Sequence, residues 1–254
     1  MNGPAPSSSS WSVSEESLRR YVRFASESCI QELLSSSEAG RFGNASNGWK
    51  VVRHDPNGVE ISKRDTGSLH SFRSRRILTS ISPDQFVKVA NAIDAARKYF
   101  SHHSRSLADQ WEGDLVEATH IRNIDENLSV IRLRFGENSK PLFRKREFIV
   151  YERRETMQDG SLVVAVASLL KEMAEGLEPT KKKENNSIRG FLVESGWVLE
   201  KLDDSSCMIT YVVQLDPIGW LPKGFVNRLN TKLVMVIDNL RKLAQASLPS
   251  LPPP

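Results

Sequence analysis

The stretch from Gly196 to Lys223, GWVLEKLDDSSCMITYVVQLDPIGWLPK, decides the fold of this chain. It holds two apolar runs on either side of a polar turn, Asp203 to Ser206, whose short side chains hydrogen-bond their own backbone and favour chain reversal. A β-hairpin is therefore predicted. In its second strand an apolar set alternates with a more mixed set, which predicts one buried face; the apolar set is Cys207, Ile209, Tyr211, Val213 and Leu215.

The residues after this hairpin predict a long helix. Pro217 ends the strand because proline cannot donate to a ladder, and Pro222 suits the first position of a helix. Apolar residues then recur at steps of three and four, the spacing of an amphipathic helix: Leu221, Phe225, Leu229, Leu233, Val236, Ile237, Leu240 and Leu243. Burying roughly six of these at about 1.5 to 3 kcal/mol each favours packing across a sheet, as in any ordinary core.

The upstream sequence predicts more of the same sheet. A helix is predicted from Ser14, with apolar residues at helical spacing to Leu33 and a Ser/Gly/Asn-rich linker after it. The pair Asn57-Gly58 predicts a hairpin turn, and Ser82 followed by proline predicts a helix start. Further strands are predicted over residues 69–79, 115–123, 128–135, 143–153 and 162–170.

The amino-acid composition is typical of a single globular domain. The chain has 254 residues, 39% hydrophobic and 26% charged, and no apolar run approaches the 18 residues of a membrane span. Its two cysteines, Cys29 and Cys207, are far apart, which argues against a disulfide framework and against a zinc site. The net charge of +4 comes from interspersed charges, which gives little support to nucleic-acid binding.

In their order along the chain, several motifs resemble the START domains, the steroidogenic-acute-regulatory-related lipid transfer family. The motifs are Gly196-Trp197; Thr210-Tyr211-Val212 with Leu215-Asp216-Pro217; Gly219-Trp220-Leu221-Pro222 with Val226 and Asn227; and Arg146-Glu147-Phe148-Ile149-Val150-Tyr151. Gly-Trp-Leu-Pro after Asp-Pro is the most specific, and the resemblance covers most of residues 49–243. It implies an α+β helix-grip fold, a curved antiparallel sheet around a long C-terminal helix that encloses a hydrophobic cavity.

The chain departs from the family pattern at several points. Glu147 stands where family members often carry aspartate, Trp111-Glu112 replaces a usual Trp-Asp pair, and residues 99–106 resemble an inserted loop. Glu152 falls near the position of an arginine that pairs with an acid in the cavity of some members. These departures indicate a rearranged or absent polar pair.

The resemblance also implies which residues contact the lipid. They are Trp111, Leu133, Phe148, Val150, Glu152, Trp197, Tyr211, Phe225, Leu229, Leu233 and Val236. Strand alternation places Glu152 on the face of Phe148 and Val150. A lone buried carboxylate is costly, so Glu152 is expected either to pair with a base or to lie at the sheet rim. By the same alternation, Arg132 and Arg134 are expected to face solvent.

Two segments are candidates for membrane contact. In START-like proteins a loop near Pro141, Leu142 and Phe143 lies beside the C-terminal helix; the alternative is that these residues only pack in a hairpin. The run Lys181, Lys182 and Lys183 has the composition of a solvated loop, yet such a cluster attracts anionic headgroups by about 1 kcal/mol per charge.

The first functional hypothesis is non-enzymatic binding and intermembrane transfer of a lipid, such as a phospholipid or sterol, in a cavity gated by the C-terminal helix and an adjacent loop. The alternative is a helix-grip enzyme of the cyclase type acting on a hydrophobic small molecule. No nucleophile motif, phosphate-binding loop or paired-histidine motif supports catalysis. We expect the protein to use no cofactor or metal and to bind no nucleic acid. We expect a monomer whose partners are a lipid ligand and, transiently, a membrane surface.

The sequence also predicts the limits of the domain and its location. Residues 1–13 are expected to form a disordered Ser-rich tail, residues 14–244 the START-like domain with its core at 49–243, and residues 245–254 a Pro-rich tail. The expected compartment is the cytoplasm, and organelle import through the N-terminal tail is the alternative.

Overall fold

The computed structural model describes residues 14–41, 44–67, 69–89, 115–135, 146–177, 187–203, 206–219 and 222–246. The helices are α1 (Glu15–Glu38), α2 (Pro83–Val89), α3 (Lys171–Glu175), α4 (Lys223–Leu233) and α5 (Val236–Ala246). The strands are β1 (Lys50–His54), β2 (Glu60–Asp65), β3 (His70–Thr79), β4 (Leu115–Asn123), β5 (Leu128–Phe135), β6 (Arg146–Thr156), β7 (Leu162–Ser168), β8 (Ile188–Arg189), β9 (Phe191–Lys201) and β10 (Ser206–Asp216). The expected N-terminal tail over residues 1–13 and the insertion at 99–106 lie outside these ranges.

The strands of the described residues form one sheet in the order β1-β2-β3-β10-β9-β7-β6-β5-β4. All neighbours in this order are antiparallel, and the short β8 pairs in parallel with β6. The hairpin predicted around Asp203 is confirmed, because β9 and β10 pair from Cys207 opposite Lys201 to Asp216 opposite Phe191. This hairpin lies at the centre of the sheet.

The sheet buries both of its faces, each under different helices. We call the face that α2, α4 and α5 contact the inner face, and the face that α1 contacts the outer face. Cys207, Ile209 and Val213 belong to the inner core as predicted, but Val212 on the opposite side of β10 is also fully buried. The prediction of one buried face was incomplete because α1 covers the second.

Helix α1 begins as predicted and ends later than predicted. The Ser14 hydroxyl accepts a hydrogen bond from the Ser17 amide at 3.1 Å, which caps the helix start. The helix then continues through residues 35–38, where the sequence suggested a linker. Arg73 and Arg75 of β3 both donate to the Ser36 and Ala39 carbonyls, at 2.7 to 3.1 Å. These bonds satisfy carbonyls that a helix end leaves unpaired, and so they extend the helix.

The predicted long C-terminal helix is two consecutive helices. Helix α4 ends at Leu233 and α5 begins at Val236, with a turn at Val234 and Met235 between them. The run Val-Met-Val-Ile is rich in β-branched residues, which lose side-chain freedom in a helix. Before the break, the Asn230 amide both donates to and accepts from the Leu215 backbone at 3.0 Å. Helix α4 is thereby tied to the end of β10.

The expectation that Arg132 and Arg134 face solvent was wrong. Both lie on the outer face at Glu147, 3.6 and 3.0 Å from its Oε2, and their side chains are only 19% and 21% exposed. Arg189 binds the other oxygen of Glu147 at 3.0 Å. Burial raises the pKa of Glu147, but the hydrogen bonds from Arg134 and Arg189 outweigh burial and hold that pKa below its ordinary value.

Candidate functional site

The inner face carries a cluster of aromatic side chains beneath the C-terminal helices. Trp197 and Tyr211, on neighbouring strands, stack with ring centroids 4.1 Å apart, and Phe86 of α2 meets Trp197 edge-on at 5.4 Å. Phe148 meets Phe135 edge-on at 5.7 Å. Phe86 is positioned by a capping box at the start of α2, where the Ser82 amide donates to Gln85 and the Gln85 amide donates to Ser82.

Seven of the predicted lipid contacts lie on this side of the sheet, and six of them have aliphatic or aromatic side chains. The buried members are Leu133, Phe148, Val150, Trp197 and Val236, and Tyr211 packs against them. Alternation along each strand, together with the helical spacing at Val236, therefore predicted correctly that these side chains share one core. That these residues touch a lipid remains a proposal.

Other predicted site residues lie outside the described part of the chain. They are Trp111, Pro141, Leu142, Phe143, Lys181, Lys182 and Lys183. Phe225, Leu229 and Leu233 lie on α4, of which the structure describes the backbone at these positions but not the side chains. The predicted membrane contacts therefore remain predictions.

Glu152 lies on the inner face and is paired, which is one of the two outcomes that its sequence context predicted. Arg154 donates twice to its Oε1, from Nε at 2.9 Å and from Nη2 at 2.7 Å. The residue is only 8% exposed. Its second oxygen, Oε2, is buried and has no hydrogen-bond partner among the described residues.

A small pocket opens beside Arg154, where β6 ends and β7 begins. Arg154, Leu162 and Val164 are among its lining residues, and its volume is about 120 Å³. A second pocket of about 180 Å³ lies by α1 and α3, lined by Leu18, Met173 and neighbouring residues. Only the first of these two adjoins the inner face.

An ion-pair cluster ties α5 to the inner face, and the sequence reasoning missed it. Asp238 Oδ1 lies 2.6 Å from Arg76 Nη1 on β3, and Arg241 and Lys242 approach the same carboxylate at 3.1 and 3.0 Å. Burial raises the pKa of Asp238, but hydrogen bonds from Lys242 and Arg241 outweigh it and lower that pKa below its ordinary value. The available signal was Arg76 itself, which alternation places among the apolar residues Phe72 and Leu78.

Arg146 fixes the loop that leads into α4. It is 4% exposed and donates to the Pro217 carbonyl at 2.7 Å and to the Ile218 carbonyl at 3.2 Å. Ile218 has a positive φ of 53°, a conformation that β-branched residues rarely adopt. The START-like arginine motif and the Asp-Pro motif therefore meet at the base of the C-terminal helices.

Two further properties bear on chemistry. Among the residues that the structure describes, no group of three or more His, Cys, Asp or Glu side chains is placed to hold a metal ion. None of the described helices has the length and hydropathy needed to cross a membrane.

Comparisons with known proteins agree with this architecture. The START domain model matches residues 43–247. START domain-containing protein 10 of mouse and of human are each 25% identical to the chain over 140 residues, which is 54% of this chain and 43% of each relative. The matched stretch thus spans less than half of these relatives' length.

Two solved structures show the same fold at low sequence identity. The crystal structure of human STARD10 has a TM-score of 0.66 at 18% identity, with 86% of this chain and 79% of that chain covered. Human StAR-related lipid transfer protein 5 has a TM-score of 0.65 at 18% identity, with 90% and 98% covered. The predicted helix-grip fold is confirmed, and the chain belongs to the START domain family.

Proposed function

We propose that this chain binds a lipid between the inner face and helices α4 and α5 and carries it between membranes without covalent chemistry. The observation that supports this most is the inner face itself, where aromatic and aliphatic side chains such as Trp197, Tyr211 and Phe148 lie under the C-terminal helices. A solved relative named a lipid transfer protein has the same fold, which supports the same class of cargo.

The energetics of lipid transfer favour such an enclosure. Moving a chain of about 16 carbons from a bilayer into water costs on the order of 13 kcal/mol, at about 0.8 kcal/mol per methylene. Only an apolar environment offsets that cost. Binding at one membrane and release at another then require only that the enclosure open and close.

We propose that α5 and the segment predicted as a loop over residues 136–143 form the gate. The break at Val234 and Met235 separates α5 from α4, so α5 can move while Asn230 keeps α4 attached to Leu215. The tie to be released is the ion pair between Arg76 and Asp238. Pro141, Leu142 and Phe143, with the lysines at 181–183, are the proposed membrane contacts of a monomer acting in the cytoplasm.

A vesicle-to-vesicle transfer assay across phospholipid and sterol classes tests this function. The wild-type chain should accelerate transfer of at least one class, and the recovered lipid should be chemically unaltered, which separates carriage from a cyclase-type reaction. Accelerated transfer of no class, by a folded protein, would refute the proposal.

A matched pair of substitutions locates the binding face. Val236→Asp places a charge on the buried side of α5 and should abolish transfer, whereas Val51→Asp on the edge strand β1, where Val51 is 51% exposed, should not. Because a buried charge can also unfold the chain, Val236→Phe provides an uncharged variant. It should reduce lipid uptake while the circular dichroism spectrum stays native.

A further inference from the structure

We infer that the lipid of this chain carries a hydrogen-bond donor, a hydroxyl or an ammonium group, at its polar end, and that Glu152 accepts that bond. This inference rests on the proposed function and specifies its cargo. It begins from a buried carboxylate oxygen that the protein itself leaves unpaired.

Glu152 is placed among the apolar residues of the inner face by the sheet register. It lies on β6 opposite Ser129 of β5 and Val166 of β7, two positions along the strand from Val150. Val150 and Val166 are buried members of the inner core. With 8% of its surface exposed, Glu152 is a carboxylate within an apolar surface rather than part of the solvent-exposed rim.

The hydrogen bonds of this carboxylate are unevenly distributed. Both bonds from Arg154 go to Oε1, and Oε2 is buried with no partner in the described part of the chain. An ionised carboxylate accepts about four hydrogen bonds, and a buried acceptor without a partner carries a penalty of about 1–3 kcal/mol. A donor on the bound ligand would remove that penalty.

The sign of the charge determines which ligands fit. A carboxylate is an acceptor only, so a ligand hydroxyl or ammonium group satisfies Oε2, while a ligand carboxylate or a quaternary ammonium does not. The pocket of about 120 Å³ lies next to Arg154, the partner of Glu152, and Leu162 and Val164 are among its other lining residues, so it provides space for the rest of a polar end group. The apolar chain would then lie along Val150 and Phe148.

Two pairs of lipids that differ only in the donor test this inference. The first is phosphatidylethanolamine against phosphatidylcholine with the same acyl chains, presented in mixed vesicles, and the second is hexadecan-1-ol against its methyl ether. Bound lipid is quantified by mass spectrometry after the vesicles are removed. The wild-type chain should favour the donor in at least one pair by about tenfold, the effect expected of one hydrogen bond to a charged group.

Variants at Glu152 assign the preference to this residue. Glu152→Leu should remove the preference, because the carboxylate that distinguishes the two members of each pair is lost. Glu126→Gln, at an exposed carboxylate in the β4–β5 turn, is the control and should keep the preference. A preference that persists in Glu152→Leu, or that is absent from both pairs in the wild type, would overturn the inference. Absence of any bound lipid from the folded wild-type chain would instead refute the proposed function.

Discussion

The two faces of the sheet are held by different kinds of contact. On the outer face, α1 covers small and β-branched residues, and the buried guanidinium groups of Arg73 and Arg75 bind the carbonyls at its end. On the inner face, larger aromatic side chains lie under two short helices that Asn230 and Asp238 tie to the sheet. Buried guanidinium groups thus hold α1 to the outer face. The contacts of Asn230 and Asp238 on the inner face fit the proposal that α5 moves away from the sheet to admit a lipid.

Two glycines show the same difference in packing. A Cβ at Gly196 would collide with the Val164 carbonyl oxygen and with Leu33 of α1, which are a backbone atom and a fully buried side chain. The nearest atoms that a Cβ at Gly190 would collide with belong to the ring of Phe148, on the inner face. The proposed lipid space beside Phe148 would let its ring move, whereas the backbone of Val164 is fixed in the sheet by its pairing with Trp197. The cost of a methyl group at each position therefore reports how closely each face is packed.

The largest effect is expected from removing the arginine contacts of the outer face. Arg73→Ala deletes two bonds to α1 carbonyls and the cation–π contact with Trp49, whose centroid lies 4.7 Å away. We expect the free energy of unfolding in urea to fall by about 4 kcal/mol, because a buried side chain with two hydrogen bonds and a ring contact is lost and only Arg75 still donates to these carbonyls. Arg53→Ala, at an exposed side chain of β1, should change it by less than about 1 kcal/mol. Equal losses of unfolding free energy in the two variants would show that the buried contacts of Arg73 stabilise the fold no more than an exposed arginine does.

Alanine at the two glycines tests the packing difference directly. Gly196→Ala should lower the free energy of unfolding by about 3 kcal/mol, since neither neighbour can give way. Gly190→Ala should cost less than about 1 kcal/mol and should reduce lipid uptake, because the Phe148 ring moves toward the cargo. Gly224→Ala, in α4 with nothing within 4 Å, is the control and should stabilise by up to about 1 kcal/mol. A large cost at Gly190 would indicate a solid inner core.

The pH dependence of stability should reveal the buried carboxylate beneath α1. Burial raises the pKa of Glu194 to about 7, and Arg64 only partly offsets it. Because the folded state then binds the proton more tightly than the unfolded state, the free energy of unfolding should fall by about 2–3 kcal/mol as pH rises from about 4.5 to about 7. Glu194→Gln should remove that fall, as measured by urea titrations across this range. An unchanged pH profile in the variant would contradict the assignment.

The smallest effect on stability is expected from the ion pair between Asp238 of α5 and Arg76 of the inner face. Asp238→Asn should lower the free energy of unfolding by only about 1 kcal/mol at neutral pH but should accelerate lipid transfer, because α5 loses its bond to Arg76. Since the pKa of Asp238 lies below its ordinary 3.8, its contribution is present above that pH and is lost as pH falls through the folded value. In Asp238→Asn the free energy of unfolding should therefore not show this decrease as the pH falls. Transfer that is no faster in Asp238→Asn would exclude this tie as part of the gate.

Local patterns in the sequence predicted much of the sheet. The alternation in β5, β6 and β10 assigned Leu133, Phe148 and Tyr211 to one face, and turn residues placed the central hairpin. These features depend on neighbouring residues along one strand, so one sequence is enough to read them.

Features that depend on distant contacts could not be read in this way. The extension of α1 to Glu38 requires Arg73 and Arg75 of a strand more than thirty residues later, at separations of 34 to 39. The break between α4 and α5 and the tie from Asp238 to Arg76 likewise depend on which surfaces meet. Arg132 and Arg134 were misplaced for the same reason, because their partners on other strands are not visible from local alternation.

Native mass spectrometry tests most directly the proposal that a lipid binds between the inner face and the C-terminal helices. The full chain is incubated with vesicles of phosphatidylcholine, phosphatidylethanolamine and cholesterol, separated from them and measured under non-denaturing conditions. We predict a mass increase of one lipid per chain, which Val150→Trp should suppress by placing a larger side chain in the proposed site beside Phe148. A wild-type chain that stays folded and carries no lipid of any of these classes would contradict it.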